Sequence, residues 1–514
     1  MNHNNQSVKK INFILFSTLI LYVLIQLLIS KPDTLLNDWL SWRQADTQTI
    51  AINFLEAGSN ILYPRINWGG NGPGFVEAEF QLYTYLIAQI MKLTGISELP
   101  GLVLSLIFIL LTALILYQTL LYVLNKPNVA LIGSIAFLIS NGAIHLSTSI
   151  IPDSLSILFY SLGLYSFIRY TKEQKYTYLI LTVLATSLAG LVKPLALNLG
   201  IIQFLLLLFN NRSMLRKLQV WIAWLVILMI VGSYMYFSYN LYLKYGNTFG
   251  VIGGDQKFPT LKGLMHWLHY LKLIYMTVLW GLGPLGSIAI IYLLIKKKLT
   301  HIEWAMLIAN IIVVFVAMRY MVNQGFSPHY YIFMDYFGCW LIAKAYEDII
   351  SSLIKNKLKL VNYLSILLLV MNFGFNLYQR IHPLSFHFDE NVNKTGYILK
   401  QVAKPNSLII VRSIASERER AEWGNRINNY EDPRIFYITL FKGWVIPFDY
   451  QGYKLVAKYR NQGAKYFVEP FDRPRDTQLE RWLEKNSVMI HSDKHGRIYK
   501  FYDTLINETK NSNR

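Results

Sequence analysis

Between residues 11 and 377 the chain returns again and again to apolar runs of about 18 to 22 residues, each long enough to cross a hydrocarbon core. A backbone in lipid must satisfy its polar groups internally, so such runs specify α-helices packed side by side. Composition agrees. Of 514 residues 54% are hydrophobic and only 15% are charged, whereas a soluble domain carries about a quarter charged residues. The expected fold class is a polytopic α-helical membrane protein of about 11 spans. They read as 11–30, 102–124, 129–147, 153–169, 177–192, 195–210, 218–238, 271–295, 302–320, 330–349 and 360–377. Lys193-Pro194 interrupts the apolar sequence at 177–210.

The net charge of +19 does not imply a nucleic-acid partner. Its Lys and Arg residues cluster in short loops between spans, where they set orientation. With a cytoplasmic N-terminus, Lys126, Arg169 to Lys175, Arg212 to Lys217, Lys296 to Lys298 and Lys355 to Lys359 all fall inside. The opposite loops are poorer in positive charge. The single cysteine, Cys339, lies in an apolar run, which rules out a disulfide within one chain and a thiolate metal cluster. Lys9 and Lys10 precede the first apolar run without a clear small-residue cleavage site, so that run reads as an uncleaved span.

This topology puts the 31–101 loop, the 147–153 loop, the 239–270 loop and everything after residue 380 on the outer side. Within 239–270, GVIGGDQKFPTLKGLMHWLHY reads as an interfacial helix or as a lid. Roughly half of the charged side chains fall after residue 380. Strand-like runs there (SLIIVRS, RIFYITL, KYFVEPF, RIYKFYD) alternate with helical patterns such as TGYILKQVA and QLERWLEKN. Residues 380–514 are therefore expected to form a soluble α/β or α+β domain with an accessory role, and 1–379 the transmembrane domain. GYKLVAKYRNQGAKYFVEP reads as a helix, a glycine stop and a strand.

Candidate chemistry concentrates in the first outer loop. WRQADTQTIAINFLEAG has apolar residues at helical spacing, placing Asp46 near the start of an amphipathic surface helix. Asp46 is either a solvated acid at a helix N-terminus or, with Trp39, Trp42 and Arg43 drawing the helix onto the bilayer, a partly desolvated general base. Glu77 and Glu79 are two apart, so they share a face of an extended segment. One is a candidate partner for Arg65 or Lys193 and the other for a sugar; two solvent-facing acids are the plain alternative. The glycines of GGNGPG make a tight turn; without a following Lys-Ser/Thr the string is a weak phosphate signal. Asp153 follows Pro152 at the outer end of a span, as a capping residue or a functional acid. Lys193 either snorkels to the interface or meets a lipid phosphate. His329 and Tyr330 enter a span from the same side, either as phosphate donors or as part of an aromatic belt, with Arg319 nearby in sequence.

Taken in order, WRQADT with AINFLEAGSNILYPRINWGG, FVEAEFQLYTYLIA, IPDSLSILFYSLGLYSFIRY, the LVKP step and SPHYY resemble the GT-C fold integral-membrane glycosyltransferases. The resemblance covers essentially residues 10–380. The branch it resembles holds the dolichyl-phosphate-mannose protein mannosyltransferases and the bacterial lipid A aminoarabinose transferase. It implies transfer of a sugar, with inversion, from a polyprenyl-phosphate carrier to a glycan, lipid or protein acceptor on the outer face. Asp46 then corresponds to the essential first-loop acid, Lys193 and His329–Tyr330 to carrier-phosphate contacts, and Asp153 to a second acidic site. Arg43, Arg65, Glu77, Glu79 and Arg319 are the remaining substrate-binding candidates. Thr47 stands where many relatives carry a second acid, and Gln81 where a proline is common. No cofactor is required by such a transfer, and a divalent metal is compatible with it but not expected.

The bacterial look of the resemblance points to an inner membrane. A transporter or flippase of lipid-linked glycans is the rival from another class; it would carry ionisable residues in mid-span and needs no polar, acid-bearing first loop. A non-catalytic docking subunit and a glycan polymerase or ligase using a diphosphate carrier are further alternatives.

Overall fold

The computed structural model describes residues 2–29, 36, 40–56, 60–253, 265, 267–314, 328–352, 358–381, 387–417, 430–471 and 476–503. It separates into two compact units. The first gathers Met1–Pro32, Glu79–Phe237 and Met265–Leu384; the second gathers Asp33–Ala78, Ser238–Leu264 and Ser385–Arg514.

The first unit is helical, and most of its helices fall on the apolar runs, whereas Leu82–Thr94 is a helix within the 31–101 segment expected as a loop. The helices on the runs include Asn2–Ile29, Leu99–Leu124, Asp153–Glu173, Tyr176–Val192, Asn198–Asn210, His301–Val313, Ile332–Ser352 and Leu358–Ile381. Among the described residues three helices are long and apolar enough to cross a membrane, and up to five if each of two bent pairs is one span. Leu218, Trp221, Ile222, Leu225 and Leu228 are exposed along one of the three, and Leu360, Tyr363, Leu364 and Leu367 along another. Exposed apolar belts of this kind suit a lipid surround.

Both bends have local causes. Pro127–Leu138 and Asn141–Ser147 meet at 58°, where Ser140 caps the second helix through Ala143 N–H. The buried Asp335 carboxylate accepts from the Ser140 hydroxyl at 2.5 Å and from Gly142 N–H at 3.0 Å. This mid-run acid is thereby satisfied as a helix-end partner. Tyr270–Gly281 and Gly283–Ile295 meet at 103°, with a π-turn over Thr277–Gly281 and Gly283 at φ 67°. Such widened turns and positive-φ glycines are ordinary causes of sharp kinks. Pro194 likewise ends the helix Tyr176–Val192, because it has no N–H to continue it.

The second unit contains a five-stranded sheet in the order β2-β1-β3-β5-β4. The strands are β1 (Leu408–Arg412), β2 (Lys442–Ile446), β3 (Tyr466–Glu469), β4 (Ser487–Ser492) and β5 (Arg497–Phe501). β1 runs parallel to β2 and β3, while β5 is antiparallel to β3 and β4. Helices Lys454–Asn461 and Thr477–Asn486 bury Val456, Leu479 and Leu483 in one core with Ile410, Ile446 and Phe467 of the sheet. Each such side chain contributes roughly 1.5–3 kcal/mol on burial.

RIFYITL departs from the strand expectation. Arg434–Thr439 is a helix, opened by Pro433 and ended by Leu440 at φ 58°. Its Arg434, Ile435, Phe436, Ile438 and Thr439 are all buried. A short run buried on every side lacks the periodicity that separates helix from strand. β2 and β4 are additional to the expected strands. Gly443 blurs the pattern of β2 but is required there: a Cβ at that position would lie 1.8 Å from Ile409 O on β1. In 239–270 the helix Leu218–Tyr245 ends and a turn follows to residue 253; residues 254–264, the middle of the expected lid or interfacial helix, lie outside the described residues.

Candidate functional site

Asp46 belongs to the helix Ser41–Glu56 of the second unit. It sits beyond the first turn, and the helix is buried on nearly all sides rather than amphipathic, with Asp46 itself 7% exposed. Asn53 on this helix donates to Arg65 O at 2.8 Å and to Asn67 Oδ1 at 3.0 Å, which brings the following loop back across it. The loop then delivers Trp68, whose indole Nε1–H donates to Asp46 Oδ1 at 3.0 Å. Arg43, about one turn before Asp46, lies with its guanidinium 5.2 Å from the Phe249 ring centre. Phe249 in turn packs edge-on against Trp68 at 6.1 Å.

The segment before the helix Arg434–Thr439 adds charge to this site. Asp432 accepts hydrogen bonds from the Arg434 guanidinium, at 2.7 Å from a terminal nitrogen and 3.0 Å from Nε, and from the Arg434 backbone N–H at 3.1 Å. Arg434 is fully buried, with its guanidinium 5.8 Å from the Trp42 ring centre. Burial pushes the Asp46 carboxyl up to about 7. The Trp68 bond and the Arg43 charge oppose that rise, and Asp432 and Glu431 add to it. Burial also pushes Glu431 up to about 7. A carboxyl poised near neutrality is what a general base at physiological pH requires.

Glu77 does not stand open as a ligand-binding group. Glu77 is fully buried, accepting from the Thr248 hydroxyl and, at 2.8 Å, from Ile252 N–H. With Glu77 N–H donating to Asn247 O and Phe249 N–H to Glu77 O, the acid clamps the turn that carries Phe249. Arg65 stacks on Phe75 at 4.9 Å. The expected shared face of Glu77 and Glu79 is not used in common: Glu77 finds these partners in the second unit and Glu79 finds Lys193 in the first.

GGNGPG is a tight turn docked on the edge strand β2. Gly70 N–H donates to Gly443 O at 2.6 Å, and Gly443 N–H to Asn67 O at 3.0 Å. Gly74 stands at φ 71°, with its Cβ position 2.3 Å from Ile66 O. Gly74→Ala is expected to destabilise the second unit by about 2 kcal/mol or more, from left-handed strain plus a backbone clash. Faster proteolysis within 60–78 would report it; cleavage at the wild-type rate would contradict it.

A separate cluster forms in the first unit from four parts of the chain. Lys193 caps the end of the helix Tyr176–Val192 and is 5% exposed. Its ammonium lies 3.4 Å from Asp153 Oδ1 and 3.6 Å from Glu79 Oε1, and 4.7 Å from the centre of the Tyr330 ring. His329, also buried, packs against Tyr330 with the ring centres 4.0 Å apart. Asp153 begins its helix just after Pro152, and Phe80 N–H donating to Leu191 O at 2.9 Å brings Glu79 alongside. Lys193 is thus no snorkelling cation: two carboxylates hold it. Arg319 lies outside the described residues.

Sequence reasoning assembled Asp46 with Arg43 but missed Trp68, Glu431, Asp432 and Arg434. A Tyr-Glu-Asp-Pro-Arg string before an apolar run was the available signal for the last three. Among the described residues no three His, Cys, Asp or Glu side chains converge as a metal site.

Residues 81–237 match the family model of the dolichyl-phosphate-mannose-protein mannosyltransferases. No curated protein matches the sequence. Among solved structures the chain is similar to ArnT from Cupriavidus metallidurans bound to undecaprenyl phosphate. The identity is 11% and the TM-score 0.60, over 94% of this chain and 98% of that one. It is also similar to the archaeal oligosaccharyltransferase AglB from Archaeoglobus fulgidus in complex with an inhibitory peptide and a dolichol-phosphate. There the identity is 11% and the TM-score 0.55, over 96% of this chain and 75% of that one. At such identities the likeness is one of fold, and the fold of this chain is that of the GT-C glycosyltransferases, as its motifs led one to expect.

Proposed function

We propose that the chain is a glycosyltransferase that moves a sugar from a polyprenyl-phosphate carrier to an acceptor on the extracytoplasmic face of a membrane. The observation that supports it most is Asp46: a buried carboxyl, held by Trp68 and pushed up to about 7, in a chain of this fold. In this reading Asp46 takes the proton of an acceptor hydroxyl or amine as that atom attacks the anomeric carbon. The carbon–oxygen bond to the phosphate breaks on the opposite side, the configuration inverts, and polyprenyl phosphate leaves. Cations at the phosphate neutralise the charge that develops there.

Lys193 serves the carrier phosphate in this reading only where one of its two carboxylates gives way. With both in place its charge is already balanced, and its first role is to lock the cluster together. The wider arrangement proposed is about 11 spans in a bacterial inner membrane, with an inside N-terminus, domains at 1–379 and 380–514, and the loop 31–101 outside.

The test is turnover of lipid-linked sugars in membranes carrying the chain, read by mass spectrometry of extracted lipids across pH. Free polyprenyl phosphate is expected to accumulate. Its rate should rise through a midpoint near 7, about tenfold from pH 6 to pH 8, because only the ionised Asp46 accepts the proton. Carrier lipids consumed no faster than in control membranes would overturn the donor assignment and favour a flippase or a scaffold.

A further inference from the structure

We propose that Trp68 is the positioning residue for Asp46: its indole N–H selects the carboxylate oxygen that stays free to take a proton, and the C-terminal sheet holds Trp68 in place. This rests on Asp46 acting as the base. Trp68 is 6% exposed, and its bond occupies Oδ1 alone. The ring cannot swing away easily. On one side Phe249 packs against it, anchored by the Glu77 clamp on Thr248 and Ile252. Along the backbone, Trp68 lies between Asn67 and Gly70, and both bond to the one residue Gly443 of β2. Gly70 also abuts the Trp444 indole, which a Cβ there would meet at 2.6 Å. The sheet therefore reaches the base through its edge strand, the loop backbone and one indole.

The charged groups that act on Asp46 are Arg43 on its own helix and Glu431 and Asp432 from the segment preceding Arg434–Thr439. Arg43 favours the carboxylate and the two acids oppose it, so the neutral donor Trp68 weighs on the balance in the direction of the ionised form. An indole N–H stabilises the charged oxygen, and a hydrogen bond to a charged group is worth roughly one to two pH units.

Trp68→Phe removes the donor and keeps most of the ring. Two readouts test it, the pH profile of carrier turnover and the infrared titration of the Asp46 carboxyl, identified by its loss in Asp46→Asn. In Trp68→Phe both midpoints should move up by about one unit or more, with turnover at pH 7 reduced about fivefold or more and recovered at high pH. A uniform loss at all pH values with unmoved midpoints would leave Trp68 a packing residue and overturn the inference. Wild-type turnover in Asp46→Asn would instead sink the base assignment, and the infrared titration would still decide whether Trp68 governs the proton affinity of Asp46.

Discussion

Asp46→Asn is expected to lower sugar transfer by about 10²- to 10⁴-fold, the usual contribution of a positioned general base, while leaving the protein folded. The amide is nearly isosteric and still accepts from Trp68 Nε1–H, so the helix Ser41–Glu56 keeps its packing. The effect on stability has a definite sign. The Asp46 pKa is raised from 3.8 to about 7 in the folded protein. The native state therefore binds the extra proton between these values, and its stability falls as pH rises from about 4 to about 7. Asn carries no such cost, so above pH 7 the melting temperature of Asp46→Asn should equal or exceed that of the wild type. Thermal unfolding in detergent beside the lipid assay checks both halves. Undiminished transfer in the variant would falsify the base role; a large drop in melting temperature would mark Asp46 as structural.

Lys193→Met is expected to cost about 3–5 kcal/mol of stability, because it leaves Asp153 and Glu79 buried without their shared cation. Combining it with Asp153→Asn and Glu79→Gln should recover much of the loss, since neutral partners of similar shape carry no buried charge. A contact made only to a carrier phosphate predicts a different outcome: unchanged unfolding, weaker use of the carrier and no rescue by the acids. Unfolding curves of the single and triple variants separate the two roles.

How far the candidate site could be read in advance depended on which partners were local. Asp46 and Arg43 stand close in sequence, and one polar loop between apolar runs marked them out. Lys193 beside Pro194 announced a break in a helix, and the break is there. Its pairing with Asp153 and Glu79 was only half visible, because a lysine at a span end reads equally as a snorkelling cation. Glu77 and Glu79 looked alike in sequence, yet one clamps a backbone turn and the other holds a lysine. RIFYITL carried no period to distinguish helix from strand, and it folds as a helix opened by Pro433.

By itself the sequence determined most of the helices, the apolar surfaces that suit them to lipid and the presence of strands near the C-terminus. Those follow from local periodicity, run length and the conformational limits of glycine and proline, all of which act over a few residues. Only the tertiary structure decided that residues 33–78 of the first polar loop and the C-terminal sheet belong to one compact unit. It alone also placed Trp68, Glu431 and Asp432 around Asp46. The proton affinity of a carboxylate depends on how much water it loses and on which dipoles and charges replace that water. Those neighbours come from distant parts of the chain, and no local pattern names them.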